Sequence, residues 1–285
     1  MQEIRSAESV SREAAIRANQ EFHTRLAPTY ESDEPHNRPE NKAKVRNRLL
    51  ELLSRVNHPE TVVDLGCGTG FILELLPEWI NKAIGIDTTP AMLDILRAKL
   101  LPRLEILERS VYDTGLTSSS SDLVTGYSVL DHFADPQASL CEAYRILKPG
   151  GYLYMDLIPN GNFWTQLRTL GTDANQFHPL VGREIDEVVN HARRMFTRFG
   201  ISPELLAAAE PHKELSDGFT ESQLRESLLG AGFQHISIRH EWFLGEGHVM
   251  HVQSATESAT IAEHLARLLP LSSHLFKYLW FEARK

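Results

Sequence analysis

Two carboxylates and three glycines in one short stretch carry the first chemical signal. In "VVDLGCGTGF" an apolar run ends at Asp64, and Gly66, Gly68 and Gly70 follow at alternate positions. Glycines permit a tight turn at positive φ and let a ligand approach bare backbone. A second acid, Asp87, ends the next apolar run, "AIGID". A carboxylate at the end of a second strand suits a pair of ribose hydroxyls. A dinucleotide fingerprint spaces its glycines as G-x-G-x-x-G. Here the third glycine comes one residue early, which disfavours an NAD-dependent oxidoreductase. Asp64 would also repel a pyrophosphate but welcome an amino group or a sulfonium. The ligand implied has an adenosine end and a cationic, zwitterionic end.

A second candidate cluster is "YSVLDHFADP", with Asp131 and His132 adjacent and Tyr127 nearby. A histidine near neutrality can take a proton from a hydroxyl or amine. The same doublet can instead serve only to pack the helix that follows.

The elements that must position these groups alternate. "TVVDLG", "KAIGID", "LEILERS", "SDLVTGYSVL" and "GYLYMDLIP" read as strands. "FILELLPEWI", "PAMLDILRAKLL" and "PQASLCEAYRIL" read as the helices between them. "NKAKVRNRLLELLSRV" precedes them as a helix with Val45, Leu49, Leu52, Leu53 and Val56 on one face. This alternation predicts an α/β fold, a Rossmann-like, doubly wound sheet with helices on both faces. From 160 to 218 helical signals occur without a clear strand, so a helical lid over the sheet's C-terminal edge is expected. "TESQLRESLLGAGF" then restarts the core, with Thr220 as cap and Gly230 and Gly232 as terminators. "HISIRHEWF" and the final "LFKYLWFEARK" complete seven strands, the last antiparallel. The expected organisation is an N-terminal helix and covering loop over 1–40, a core over 41–158, the lid over 159–218, and the rest of the core over 219–285 with an insertion at 245–273.

Bulk composition sets limits. The 285 residues include 29 Lys and Arg against 38 Asp and Glu, a formal net charge of −9. That lowers the expectation of a nucleic-acid partner, which wants a basic surface. Two cysteines do not make a disulfide framework, and Cys67 reads as packing. No apolar run is long enough for a membrane span, and "MQEIRSAESVSREAAIRANQ" has no apolar signal core. A cytoplasmic protein is the expectation. His248 and His251 lack an acid or cysteine beside them, so no metal is expected. His36, His178 and His212 read as surface, and Arg193, Arg194 and Arg198 as a solvated helix face.

With these residues in view, the chain resembles the class I methyltransferases that use S-adenosylmethionine (SAM), of the small-molecule type. "VVDLGCGTG" is similar to their first motif, "IGIDTTPAML" to their second region, and "LKPGG" to a late marker. The resemblance covers roughly residues 45 to 158, 219 to 243 and the last strand. It implies SAM as cofactor, with Gly66 and Gly68 passing its methionine part and Asp64 holding its amino group. It also implies Asp87 on the ribose, Thr88 and Met92 flanking the adenine, and Ser110, Val111 and Tyr112 gripping that ring. "RSV" departs from the acidic-then-small pattern of many relatives, so Asp113 is a substitute adenine contact. Tyr30, in "LAPTYES", resembles an element that folds over the cofactor. The implied activity is methylation of a small organic acceptor, with His132 or Asp131 as base or substrate contact. Phe163, Trp164 and Phe177 in the lid suggest an apolar or ring-bearing acceptor, or simply anchor the lid. Methylation of a protein or another macromolecule, and binding of SAM without turnover, are the alternatives. The N-terminal helix suits a homodimer contact as well as a cap on its own site.

Overall fold

Strand order explains how the two candidate clusters meet. The computed structural model describes residues 10–169 and 179–285. Seven strands, β1 (Thr61–Leu65), β2 (Lys82–Asp87), β3 (Leu104–Glu108), β4 (Ser121–Tyr127), β5 (Leu147–Pro159), β6 (Gln234–Phe243) and β7 (Phe276–Arg284), form one sheet. Their order is β3-β2-β1-β4-β5-β7-β6. β1 to β5 are parallel, and β7 runs antiparallel to both neighbours. The chain winds from β1 toward β3, then returns to β4 on the other side of β1. The order therefore reverses between β1 and β4, and a crevice opens at their carboxyl ends. The glycine turn after β1 and the segment after β4 both enter it.

Each layer follows from its residues. β1 is buried at four of its five positions and β4 at all seven, as expected of parallel strands covered on both faces. Helix Pro39–Ser54 lays Val45, Leu49, Leu52 and Leu53 against Val62, Ile72 and Tyr154. Helix Pro136–Ile146 covers the opposite face with Leu140, Ala143 and Ile146, and Asp135 caps it through the Ala138 N–H. Two boundaries differ from the sequence reading. The helix after the glycine turn spans only Phe71–Leu75, because Leu76 precedes a proline and turns extended. Helix Glu221–Ala231 runs through Gly230 and ends at Gly232, where φ reaches 103°. Thr220 starts it with a full capping box.

The described residues of 159–218 fold as short helices, among them Gly161–Thr169, Pro179–Val189, His191–Phe199 and Pro203–Ala209. Ile201, Leu206 and Ala209 pack on Ala18, Phe22 and Leu26 of the N-terminal helix Arg12–Leu26. That helix is also tied down by polar contacts. Gln20 Nε2 donates to Thr88 O at 2.7 Å, Arg12 pairs with Asp135, and Arg25 Nη1 donates to Gly200 O at 2.6 Å. Arg198 pairs with Asp33 at 2.6 Å, so one arginine of the expected solvated face is a tie between lid and covering loop. The N-terminal helix thus roofs the crevice, seated on the lid.

Leu206→Ala tests that seating. Removing this buried side chain should cost about 2–4 kcal/mol. Amide exchange should quicken in 12–26 and 201–209 while β1 and β4 stay protected. An equal loss of protection in the sheet would contradict the arrangement.

Candidate functional site

The glycine turn is shaped by β2. Gly66 and Cys67 N–H groups both donate to Ile86 O, at 2.8 and 3.0 Å. Gly66, Gly68 and Gly70 have φ of 67°, 50° and 94°. Their roles separate on what a side chain would meet. A Cβ on Gly66 would overlap Val129, and one on Gly70 would overlap Leu96. A Cβ on Gly68 meets nothing within 4 Å. Gly68 is the glycine that leaves room for a ligand; Gly66 and Gly70 admit the neighbouring elements.

Asp87 is fixed from both sides of the turn. Its Oδ2 accepts the Gly68 N–H at 2.9 Å and its Oδ1 the Thr89 N–H at 2.8 Å. Each oxygen keeps a lone pair for a further donor. Asp64 is 2% exposed, and its one hydrogen bond comes from Thr125 Oγ1 at 2.7 Å. No cation reaches it among the described residues. Burial pushes its carboxyl up to about 7, against the Thr125 hydrogen bond and with some help from Asp87. A ligand ammonium would supply the missing countercharge. These features fit SAM: bare backbone at Gly68, a rigid carboxylate at Asp87 and an uncompensated one at Asp64.

Asp64, Gly66, Gly68, Asp87, Thr88, Met92, Ser110, Val111, Tyr112 and Tyr30 all line one cavity with an empty volume of about 890 Å³ including its mouth. Asp113, the substitute adenine contact, does not line it, and Arg109 does. The Ser110 Oγ accepts the Tyr112 N–H at 3.2 Å, which leaves its second lone pair for an adenine amino group. Cys67 is buried against Leu73, Leu93 and Leu96, as packing.

The other end of the cavity lies under the N-terminal helix. His132 lines it; Asp131 does not. The His132 Nδ1 lies 3.0 Å from Ala209 O and its Nε2 3.9 Å from Glu210 Oε1. Asp131 is buried behind it, its carboxyl raised by burial and held back in part by His132. Tyr127 accepts a hydrogen bond from Asn41 at 2.8 Å. His36 is not a surface residue: it is 6% exposed, packs on Phe71 and Tyr127, and lines the cavity. Burial, then Lys42, pushes it down to about 4. His23 lines the cavity too, its ring centroid 5.0 Å from that of His132. Burial first, and then His132, hold it down at about 4.

His23 and Asn19 are among the wall residues that sequence reading missed. Their signal was weak, because the helix carrying them has only a narrow apolar face of Ala15, Ala18, Phe22 and Leu26. Phe163 packs with Leu167 and Ile185, with Trp164 against them, so these aromatics anchor the lid and do not line the cavity. His212 is half-buried and stacks on Phe219. Phe177 and His178 lie outside the described residues. Asp131, His132 and Glu210 bring possible ligand atoms within 4.8 Å of one another. Lys213 already sits 2.8 Å from Glu210 Oε2. Burial alone would raise Glu210, but Lys213, His191 and His132 hold it well below the carboxylate range. No helix among the described residues is long and apolar enough to cross a membrane.

Comparison with known proteins agrees with this geometry. Residues 63–155 match a family model described as a methyltransferase domain. A trans-aconitate 2-methyltransferase of Deinococcus radiodurans is 32% identical over 163 residues, 55% of this chain and 56% of its own. A malonyl-[acyl-carrier protein] O-methyltransferase of Serratia marcescens is 29% identical over 119 residues, 41% of this chain and 46% of its own. The chain thus spans about half the length of these curated relatives. A SAM-dependent methyltransferase from Archaeoglobus fulgidus shares the fold at a TM-score of 0.52 and 18% identity, covering 86% of this chain and 94% of its own. The [4+2]-cyclase SpnF shares it at 0.55 and 15%, covering 93% and 94%. Residues 63–155 are thus similar to a methyltransferase domain, and the relatives described as SAM-dependent imply SAM as the cofactor of this core.

The glycines give a paired prediction. Gly68→Ala should cost about 1 kcal/mol for a positive φ yet weaken S-adenosylhomocysteine binding more than tenfold, because its Cβ enters the cavity. Gly66→Ala should cost several times more stability through its overlap with Val129. Denaturant midpoints and calorimetric titration read both. Equal effects on stability and binding in the two variants would refute the division of roles.

Proposed function

We propose that the protein transfers the methyl group of SAM to a small organic acceptor and releases S-adenosylhomocysteine. One observation carries the reading. A single cavity joins the Asp64–Asp87 end to the His132–Tyr127 end, beneath a helix tied to both core and lid. A folded macromolecular acceptor would have to displace that roof; a small molecule would not. Fold alone is not enough, since a cyclase shares it. The relative named for trans-aconitate, a small organic acid, adds support.

In this reading Asp87 holds the ribose hydroxyls and Asp64 the amino group, while Thr88, Met92 and the 110–112 segment enclose the adenine. Tyr30 closes the cavity from the covering loop. SAM supplies a methyl group already activated for transfer. What remains for the chain is to align the acceptor in line with the breaking bond and to exclude water. The N-terminal helix serves both ends. His132 contacts the acceptor, and Asp131 lies buried behind it.

The test is transfer of label. Methyl-labelled SAM is incubated with the protein and a desalted cell extract divided by size, with Asp87→Ala as control. Label should appear in the small-molecule fraction and fall at least tenfold in the control, where the Gly68 and Thr89 N–H groups lose their acceptor. Label confined to the large fraction would move the acceptor to a macromolecule. Binding of SAM with no label in either fraction would leave a non-catalytic role.

A further inference from the structure

Resting on that transferase reading, we infer that the acceptor presents a hydroxyl group on a flat ring, and that His23 of the N-terminal helix takes the hydroxyl proton on its Nε2 during transfer. The first support is the state of two histidines in the cavity wall. The His23 Nδ1 lies 3.1 Å from Asn19 O, and the His132 Nδ1 3.0 Å from Ala209 O. A carbonyl only accepts, so each Nδ1 carries a hydrogen, and Nε2 is the nitrogen left to take a proton. The two Nε2 atoms have different surroundings. That of His132 lies 3.9 Å from Glu210 Oε1, on a residue that does not line the cavity, so a proton there is held by the wall. Among the described residues the His23 Nε2 has no hydrogen-bond partner, yet it is not one of the polar atoms shut off from solvent. His23 is only partly buried, and it lines the cavity. Its lone pair is therefore open to whatever the cavity holds.

The second support is the wall beside that nitrogen. Ring centroids follow one another from His23 to Tyr30 at 6.3 Å, to His36 at 6.1 Å, to Phe71 at 4.9 Å and to Tyr127 at 4.4 Å. All five residues line the cavity. Ring faces and edges pair favourably with a further ring at spacings of this kind. A flat acceptor laid along this row has its hydroxyl within reach of the histidine that begins it.

The transfer favours the same class. A lone pair of the hydroxyl oxygen forms the new C–O bond, and the electron pair of the breaking C–S bond returns to sulfur. The O–H proton grows strongly acidic as the C–O bond forms. It passes to the His23 Nε2, which later yields it to water. The products are a methyl ether, S-adenosylhomocysteine and one proton. Burial and then His132 hold His23 low, while Asp87, the Asn19 carbonyl and Glu210 act the other way. Its imidazole is thus unprotonated at neutral pH. So weak a base can take the proton of a hydroxyl under attack, but it cannot strip an ammonium beforehand. A neutral amine needs no proton removed until transfer is over, and a carboxylate has none to give. Of these acceptors the hydroxyl alone uses His23 within the transfer.

Product and residue are tested together. Methyl-labelled SAM is incubated with the protein and the small-molecule fraction of a cell extract. The labelled product should withstand mild alkali, which frees methanol from a methyl ester. It should release methyl iodide in hot hydriodic acid, under conditions that spare N-methyl groups. His23→Gln should slow transfer at least about a hundredfold and leave S-adenosylhomocysteine binding, read by calorimetry, within about threefold of the unaltered protein. Added imidazole should restore part of the rate to His23→Ala and none to His132→Ala. Label lost to alkali, or kept through hydriodic acid, overturns the inference. So does undiminished transfer by His23→Gln, and so does imidazole that fails His23→Ala or serves both alanine variants alike. Absence of label from the small-molecule fraction, with S-adenosylhomocysteine bound, overturns the transferase reading beneath it.

Discussion

A carboxylate removed from water without a cation costs several kcal/mol unless it protonates or finds a partner. Asp64 is in that position. Much of the surrounding structure can be understood as what keeps it there. Its strand is covered on both faces, Thr125 on the neighbouring strand supplies one hydrogen bond, and the glycine turn puts no side chain in front of it. Asp87 repeats the arrangement in a milder form, with two backbone N–H groups as partners. In the proposed reading the pair forms a template for a ligand with an ammonium at one point and a diol at another. A folded chain gains nothing from Asp64 by itself; the ligand completes it.

The same constraint explains the roof. An uncompensated charge is useful only while water is kept from it, and the N-terminal helix does this for the whole crevice. Its grip is distributed: apolar contacts to the lid, a hydrogen bond to Thr88 O, and ion pairs to Asp135 from the helix and to Arg198 from the loop behind it. Each contact is modest, since exposed ion pairs contribute little.

Sequence made the central sheet legible because its signals are local. Strand runs of alternating or continuous apolar residues, a capping threonine at 220 and terminal glycines each act over a few positions. That Asp64, Gly66, Gly68 and Asp87 line one end of a common cavity was legible for the same reason, since they belong to adjacent elements. The acceptor end was not. His23 and Asn19 reach the cavity through packing between the N-terminal helix and Ile201, Leu206 and Ala209, about 180 residues further on. Nothing in their own neighbourhood marks them. His36 sits among prolines and acids that read as solvent-exposed loop, yet Phe71 and Tyr127 bury it. The lid aromatics failed in the opposite sense: their composition suggested ligand contact, and they close a small core of their own.

The most direct measurement is the titration of the Asp64 carboxyl carbon by NMR, with and without S-adenosylhomocysteine. That ligand carries the amino group but no sulfonium, so it isolates the contact assigned to Asp64. In the free protein Asp64 should titrate near 7. With ligand bound, the ammonium should favour the charged form and bring it below about 5. A free-protein value near 4, or a value that stays near 7 under saturating ligand, would contradict the account.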